Sequence, residues 1–276
     1  MKKIIILTIL VISFLGCYEK VAGVDVVYSL KKGKVITFND MINDVINSDI
    51  IVIGELHDVM EHHRFQLKVI KSIYEREKNI AIAMEMFRAD SQSELDRWIN
   101  KELNEEEFKK VFKSNWKTGW ELYLDILLFA RENGVPLIGL NVPSEITRKV
   151  AQRGFASLTK EELKKLPEGV SCDISETYMN FVKKTHEFHS GGREFVNFCE
   201  AQMLWDKSMA INTINFIKKN NIKKVILITG KGHAWKHAIP EQIKRLSDYK
   251  VSVIIPDLKD DKDQIISTIE DADYLF

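Results

Sequence analysis

Apolar runs without alternation punctuate the chain at "DIIVIGE" (49–55), "NIAIAMEMF" (79–87), "VPLIGLN" (135–141), "KKVILITG" (223–230) and "YKVSVIIPD" (249–257). Such runs predict parallel strands covered on both faces. Between them the apolar positions recur at helical spacing. Leu67, Ile70, Ile73 and Tyr74 make one stripe, and Leu122, Ile126, Leu127 and Ala130 make another. Strand–helix alternation predicts an α/β fold, a mostly parallel sheet flanked by helices. Upstream, "VVYSLKKGKVITF" reads as a small hairpin or edge strand turning at Gly33, and "NDMINDVINSD" as a short helix capped by Asn39 or Asp40. The connection over residues 142–222 is far longer than one crossover needs. Its segments "PSEITRKVAQRGF", "TKEELKKL", "DISETYMNFVKKTHEF" and "REFVNFCEAQMLWDKSMAINTINFIKKN" predict a helical insertion between the third and fourth core strands. The expected organisation is a leader over 1–17, an α/β domain over 18–141 and 223–276, and the insertion over 142–222.

The 276 residues carry 45% hydrophobic positions, enough for one large domain. Forty basic against forty acidic residues gives no sign of non-specific nucleic-acid capture. The leader changes the picture more. "MKKIIILTILVISFLGC" has two lysines, then an apolar run from Ile4 to Leu15 that is too short to span a bilayer. Its ending Leu15-Gly16-Cys17 resembles a bacterial lipobox, although Phe14 departs from the aliphatic residue usual there. That reading predicts export, a diacylated Cys17 and a lipid anchor on a membrane surface. Cleavage before Cys17 removes Lys2 and Lys3 and leaves the mature chain near −2. Cys172 and Cys199 then remain, and export allows them a disulfide without requiring it.

Ligands of open parallel sheets bind beyond the carboxyl ends of the strands. Four strand ends deliver polar groups there: Glu55 and His57 after the first, Glu85 after the second, Asn141 after the third and His233 after the fourth. Gly54, Gly230 and Gly232 allow sharp turns and close approach. Two imidazoles and two carboxylates suit a divalent metal, and a Glu beside a His suits acid/base chemistry. A lone Glu or His at a strand end is usually just solvated; the convergence of four strand ends favours a pocket. His63 is expected to face it and His62 to face solvent. "HDVMEHH" is not the zincin pattern, since no Glu follows His57. Met84, Met86, Phe87, Trp116, Trp120 and Tyr123 surround the same region, where core packing is the commoner role. In the insertion, Tyr178, Phe181, Lys183, Lys184, His186 and His189 sit close in sequence. They would grip a flat, anionic, apolar ligand, or else form an amphipathic helix with a solvated lysine face.

Taken together, "GELHDVMEHHRFQ", "AMEMFRADSQ", "WELYLDILLFARENGVPLIGLNVP", "AQMLWDKSMA" and "TGKGHAWKHAIP" resemble the ChaN family of haem-binding bacterial lipoproteins, in the family's order from about residue 48 to 245. The wider superfamily holds Tiki, TraB and erythromycin-esterase-like proteins, some of them proposed metal-dependent hydrolases. The resemblance places Glu55, His57, Glu85 and His233 on the shared polar site, as candidate metal ligands. It implies haem-linked iron uptake, haem between two subunits, a homodimer formed on haem binding, an outer-membrane location and an outer-membrane haem receptor as partner. It also implies a tyrosine on the iron. Tyr178 is the first candidate, with Tyr123 and His63 as further cofactor-binding residues and Lys183, Lys184 and His186 as propionate donors. A haem carrier, a metal-dependent hydrolase and a plain scaffold lipoprotein are the three functions to weigh.

Overall fold

The computed structural model describes residues 26–185, 192–257 and 267–276. The leader with Cys17, together with His186 and His189, lies outside them, as does the side chain of Lys184.

A hairpin opens the described chain: β1 (Val26–Ser29) and β2 (Lys34–Thr37) pair antiparallel. Gly33 takes the turn at φ +62°, which its missing Cβ permits. Helix α1 (Phe38–Val45) follows at once. Its cap is Thr37, not Asn39 or Asp40. The Thr37 hydroxyl accepts the Asp40 amide at 3.1 Å and the Asp40 carboxylate accepts the Thr37 amide at 3.3 Å, a reciprocal capping box. The last residue of the strand thus starts the helix.

The chain then runs β3 (Ile50–Glu55), α2 (Met60–Arg76), β4 (Ile80–Arg88), α3 (Gln92–Ile99), α4 (Glu105–Asn115), α5 (Trp120–Asn133) and β5 (Leu137–Asn141). The insertion supplies α6 (Ser144–Arg153), α7 (Lys160–Leu163), α8 (Glu176–Thr185) and the long α9 (Arg193–Asn220). After it come β6 (Lys224–Gly230), α10 (Lys231–Ala234), α11 (Ile239–Leu246), β7 (Val251–Ile255) and β8 (Tyr274–Leu275). One sheet forms in the order β2-β1-β8-β7-β3-β6-β4-β5. From β8 to β5 every pairing is parallel, and the hairpin edge is antiparallel.

Strand alternation splits the core in two. Ile51, Ile53, Ile82, Met84, Ile226 and Ile228 pack against α1 to α5 on one face. Ile50, Val52, Ala81, Ala83, Val225 and Leu227 pack against α8, α9 and α11 on the other. Of the insertion, α9 lies on the sheet, while α6 packs on α9 around Val142, Ile146, Val150 and Leu204. Among the described residues no helix is long and apolar enough to cross a membrane.

One irregularity matters for the site. The β4–β5 register shifts between Met84 and Arg88, which places Glu85 in a bulge. There the backbones come so close that a Cβ on Gly139 would stand 2.3 Å from the Arg88 carbonyl oxygen. Asn141 braces the same bulge. Its Nδ2 donates to the Glu85 carbonyl at 3.1 Å, and its Oδ1 accepts the Val142 amide at 2.8 Å. Both polar ends of Asn141 therefore serve backbone, and the expectation that it faces a guest is corrected.

Candidate functional site

The β3–β6 register sets Glu55 beside Gly230 at the carboxyl edge of the sheet. Glu55 is 1% exposed, and four side chains converge on its carboxylate. His57 Nδ1 lies 2.8 Å from Oε1, the Tyr123 hydroxyl donates to the same oxygen, Gln66 Nε2 donates to Oε2 at 2.7 Å, and His63 Nδ1 is 3.4 Å from Oε2. With Nδ1 on Glu55, the His57 ring directs Nε2 away from it. A Cβ on Gly230 would lie 2.8 Å from that Nε2 and 3.6 Å from Glu85 Oε2. Glycine is thus what lets the ring lie over the strand end. The His57 side chain is 41% exposed and meets the edge of Trp116 at 5.0 Å between ring centres.

Glu85 reaches across from its bulge to β6. Its Oε2 accepts the Thr229 hydroxyl at 2.5 Å and the Gly230 amide at 2.7 Å. His233, in α10, places Nε2 3.9 Å from Glu85 Oε1. Its Nδ1 lies 2.7 Å from Asp206 Oδ1, and Tyr178 donates to Asp206 Oδ2 at 2.6 Å. Trp205 flanks His233 at 5.7 Å between ring centres. Asp206 was not among the residues singled out from the sequence. The signal was there: an acid with neighbours Trp205 and Met209 in a helix whose flanking stripe, Met203, Ala210 and Ile214, is buried. Gln66 and Thr229 were missed as well, and amides and hydroxyls carry no comparable signal.

Charge follows from this packing. Burial lowers the His233 pKa, but the charges of Glu85 and Asp206 and the Asp206 hydrogen bond outweigh it and lift it to about 9. Burial likewise opposes His57, and the Glu55 hydrogen bond with the charges of Glu85 and Glu55 raises its pKa on balance. Burial works against ionised Glu85, yet His233, His57, Thr229 and Gly230 hold its pKa below the ordinary value. Burial raises Asp206, which His233 and Tyr178 only partly offset. A histidine with a pKa raised in the fold stabilises it fully below the unfolded value and no longer does so above the folded one. The urea midpoint is therefore expected to fall as pH rises from 6.5 through about 9, with His57 acting in the same direction. His233→Gln should flatten much of that fall, as read by fluorescence-monitored unfolding.

Several expectations need correction. Glu55, His57, Glu85 and His233 do gather at one edge, but among the described residues no group of three or more acids, histidines or cysteines is arranged to hold a metal ion. The carboxylates are engaged by His57, Gln66, Tyr123, Thr229 and Gly230 instead. His62 is half-buried, because its Nδ1 accepts the Leu56 amide at 2.9 Å and its ring edges onto Phe276. His63 is buried toward the site as expected, with Nε2 3.2 Å from the His57 carbonyl; it holds the loop. Tyr123 and Tyr178 are both buried donors to carboxylates. Burial first, then the charges of Glu55 and Asp206 respectively, push their pKa values well up, so neither is poised to become a tyrosinate ligand. Tyr178, Phe181 and Val182 lie in the core, so α8 turns its apolar face inward and leaves Lys183 exposed. Met84, Met86, Phe87 and Trp120 are core as well. Cys172 and Cys199 are free thiols, held protonated by burial at about 12 and about 11.

A family model described as "Haem-binding uptake, Tiki superfamily, ChaN" matches residues 41–243, a span that holds every side chain of this site. The chain belongs to the ChaN family. The fold agrees: a structure described as cofacial haem binding to ChaN of Campylobacter jejuni superposes with a TM-score of 0.71, covering 92% of this chain and 96% of that one. At 19% identity the two are separate members of the ChaN family. An erythromycin esterase EreC mutant structure covers 82% of this chain at 15% identity, with a TM-score of 0.48. Among curated proteins, RETICULATA-RELATED 5 of Arabidopsis thaliana, a chloroplastic protein, is 27% identical over 126 residues. This ChaN-family chain matches 17% of that protein's length.

Proposed function

We propose that this chain is a membrane-anchored lipoprotein that binds haem in haem and iron uptake, with haem held between two copies. Family membership gives haem as the ligand. The observation that carries it to this edge is the His57 ring, partly exposed at the rim and backed through Nδ1 by buried Glu55. A carboxylate behind Nδ1 fixes tautomer and orientation and makes Nε2 the better iron ligand. The residues fit the group in two further ways. Trp116 and Trp205 are half-buried indoles beside His57 and His233, and His233 is a cationic donor for an anionic substituent. Haem, when bound, supplies the iron and a flat apolar face. The chain supplies orientation, from a site edge backed by a core that includes Ile228, Met84 and Tyr123. The leader "MKKIIILTILVISFLGC" supports export and an anchor at Cys17 on the outer membrane, where a haem receptor would be the delivery partner.

Adding haemin to the apo-protein should give a saturable absorbance change and convert monomer to dimer in sedimentation velocity. Haemin that leaves both the spectrum and the mass unchanged contradicts the proposal.

A second reading, ester or amide hydrolysis, is favoured by one observation: two carboxylate-backed imidazoles facing Glu85 suit acid/base chemistry. It predicts turnover of ester or amide substrates that His57→Ala abolishes.

A further inference from the structure

The two histidines at the sheet edge are held by parallel means. On one side Tyr123 donates to Glu55, and Glu55 meets His57 Nδ1. On the other, Tyr178 donates to Asp206 at 2.6 Å, and Asp206 meets His233 Nδ1 at 2.7 Å. Both carboxylates are 1% exposed, and both phenols are buried. The two sets come from different parts of the fold: β3 with the loop after it and α5 for the first, α8, α9 and α10 for the second. They meet at Gly230 and Glu85.

We propose that Asp206, held in turn by Tyr178, is a positioning residue for His233, so that the edge presents two braced imidazoles through their Nε2 atoms rather than one. A carboxylate at Nδ1 selects the tautomer and stops the ring turning about its two-fold torsion. His233 needs this more than most histidines, because Glu85 lies 3.9 Å from its other nitrogen and offers the ring a second carboxylate to turn toward. A carboxylate that merely joined α8 to α9 could take its second partner from any donor on those helices. Asp206 instead divides its oxygens, one to the α8 phenol and one to the edge imidazole. Tyr178 thereby acquires a role distinct from iron ligation: it fixes the second oxygen of Asp206 so that the first stays on His233.

This brace is read from the geometry of the side chains. It needs neither haem binding nor hydrolysis, so failure of the haemin titration would leave it intact. The test is the ring N–H spectrum of the whole ¹⁵N-labelled chain. Two far-downfield Nδ1–H signals are expected, assigned by their loss in His57→Gln and in His233→Gln. Asp206→Asn should remove only the His233 signal, and Tyr178→Phe should shift that signal and leave the His57 signal in place. A His233 signal unchanged in both variants overturns the proposal, as does loss of both signals together in a folded Asp206→Asn. If Asp206→Asn does not fold, by circular dichroism, Tyr178→Phe decides: a shift confined to His233 supports the assignment, and no shift refutes it.

Discussion

Glu55→Ala is expected to lower the unfolding free energy by about 3–5 kcal/mol, the range for removing one partner of a buried charged network. The reason is the number of groups that lose an acceptor at once. Gln66 and Tyr123 are buried donors aimed at this carboxylate, and His57 and His63 lie against it. Each orphaned buried donor costs about 1–3 kcal/mol, and the costs are not additive because the four share one site. Glu55→Gln should cost less, since its carbonyl oxygen still accepts while its amide faces the Gln66 donor. Urea unfolding of the three proteins measures the series. A loss below about 1 kcal/mol for alanine would mean that the network in β3 and α5 is not formed in solution.

His57→Ala is expected to cost the fold much less than Glu55→Ala and to weaken haemin at least hundredfold, about 2.8 kcal/mol at about 1.4 kcal/mol for each factor of ten. The two effects separate because the side chain is 41% exposed, and its ring lies against Glu55, Tyr123, Trp116 and the Gly230 backbone while part of it stays open at the rim. Glu55→Gln should weaken haemin about 10–100-fold without removing it, as expected for a group behind a ligand rather than on the metal. Tyr178→Phe should keep the wild-type spectrum, because its hydroxyl is occupied by Asp206 and lies in the core. Equilibrium titrations followed by the haem absorbance bands decide it. A Tyr178→Phe protein that loses the spectrum while His57→Ala retains it would return the iron to the tyrosine.

Much of this fold was legible in the pattern of apolar residues. The five long runs became β3 to β7 because parallel strands covered on both faces leave no polar alternation. The two-residue β8 was invisible, since a pair of residues has no period to read. The Thr37 cap was misplaced because the residue ends a strand and starts a helix, and either role hides the other. At the site, strand ends pointed to Glu55, His57, Glu85 and His233, whose positions depend only on register. Partners were another matter. Asn141 stands at the same edge yet turns to backbone, a choice made by the bulge at Glu85. Asp206 meets His233 from α9, and Tyr178 meets Asp206 from α8, and periodicity cannot say which helix will cross which strand end. The inward turn of α8 has the same cause: its apolar stripe was visible, and only packing on α9 shows where it goes.

The proposed haem site lies at the carboxyl edge of β3, β4 and β6, between His57 and His233. Ferric haemin broadens nearby nuclear resonances, so location can be read directly. The control is Tyr249, which precedes Lys250 at the opposite end of the strands, where the Lys250 carbonyl accepts the Ile50 amide at 3.0 Å. β6 alone separates the two ends by roughly 20 Å at about 3.3 Å per residue. With one equivalent of haemin, the ring signals of His57 and His233 should vanish while those of Tyr249 persist. Sharp His57 and His233 signals in a haemin-saturated protein would contradict the account.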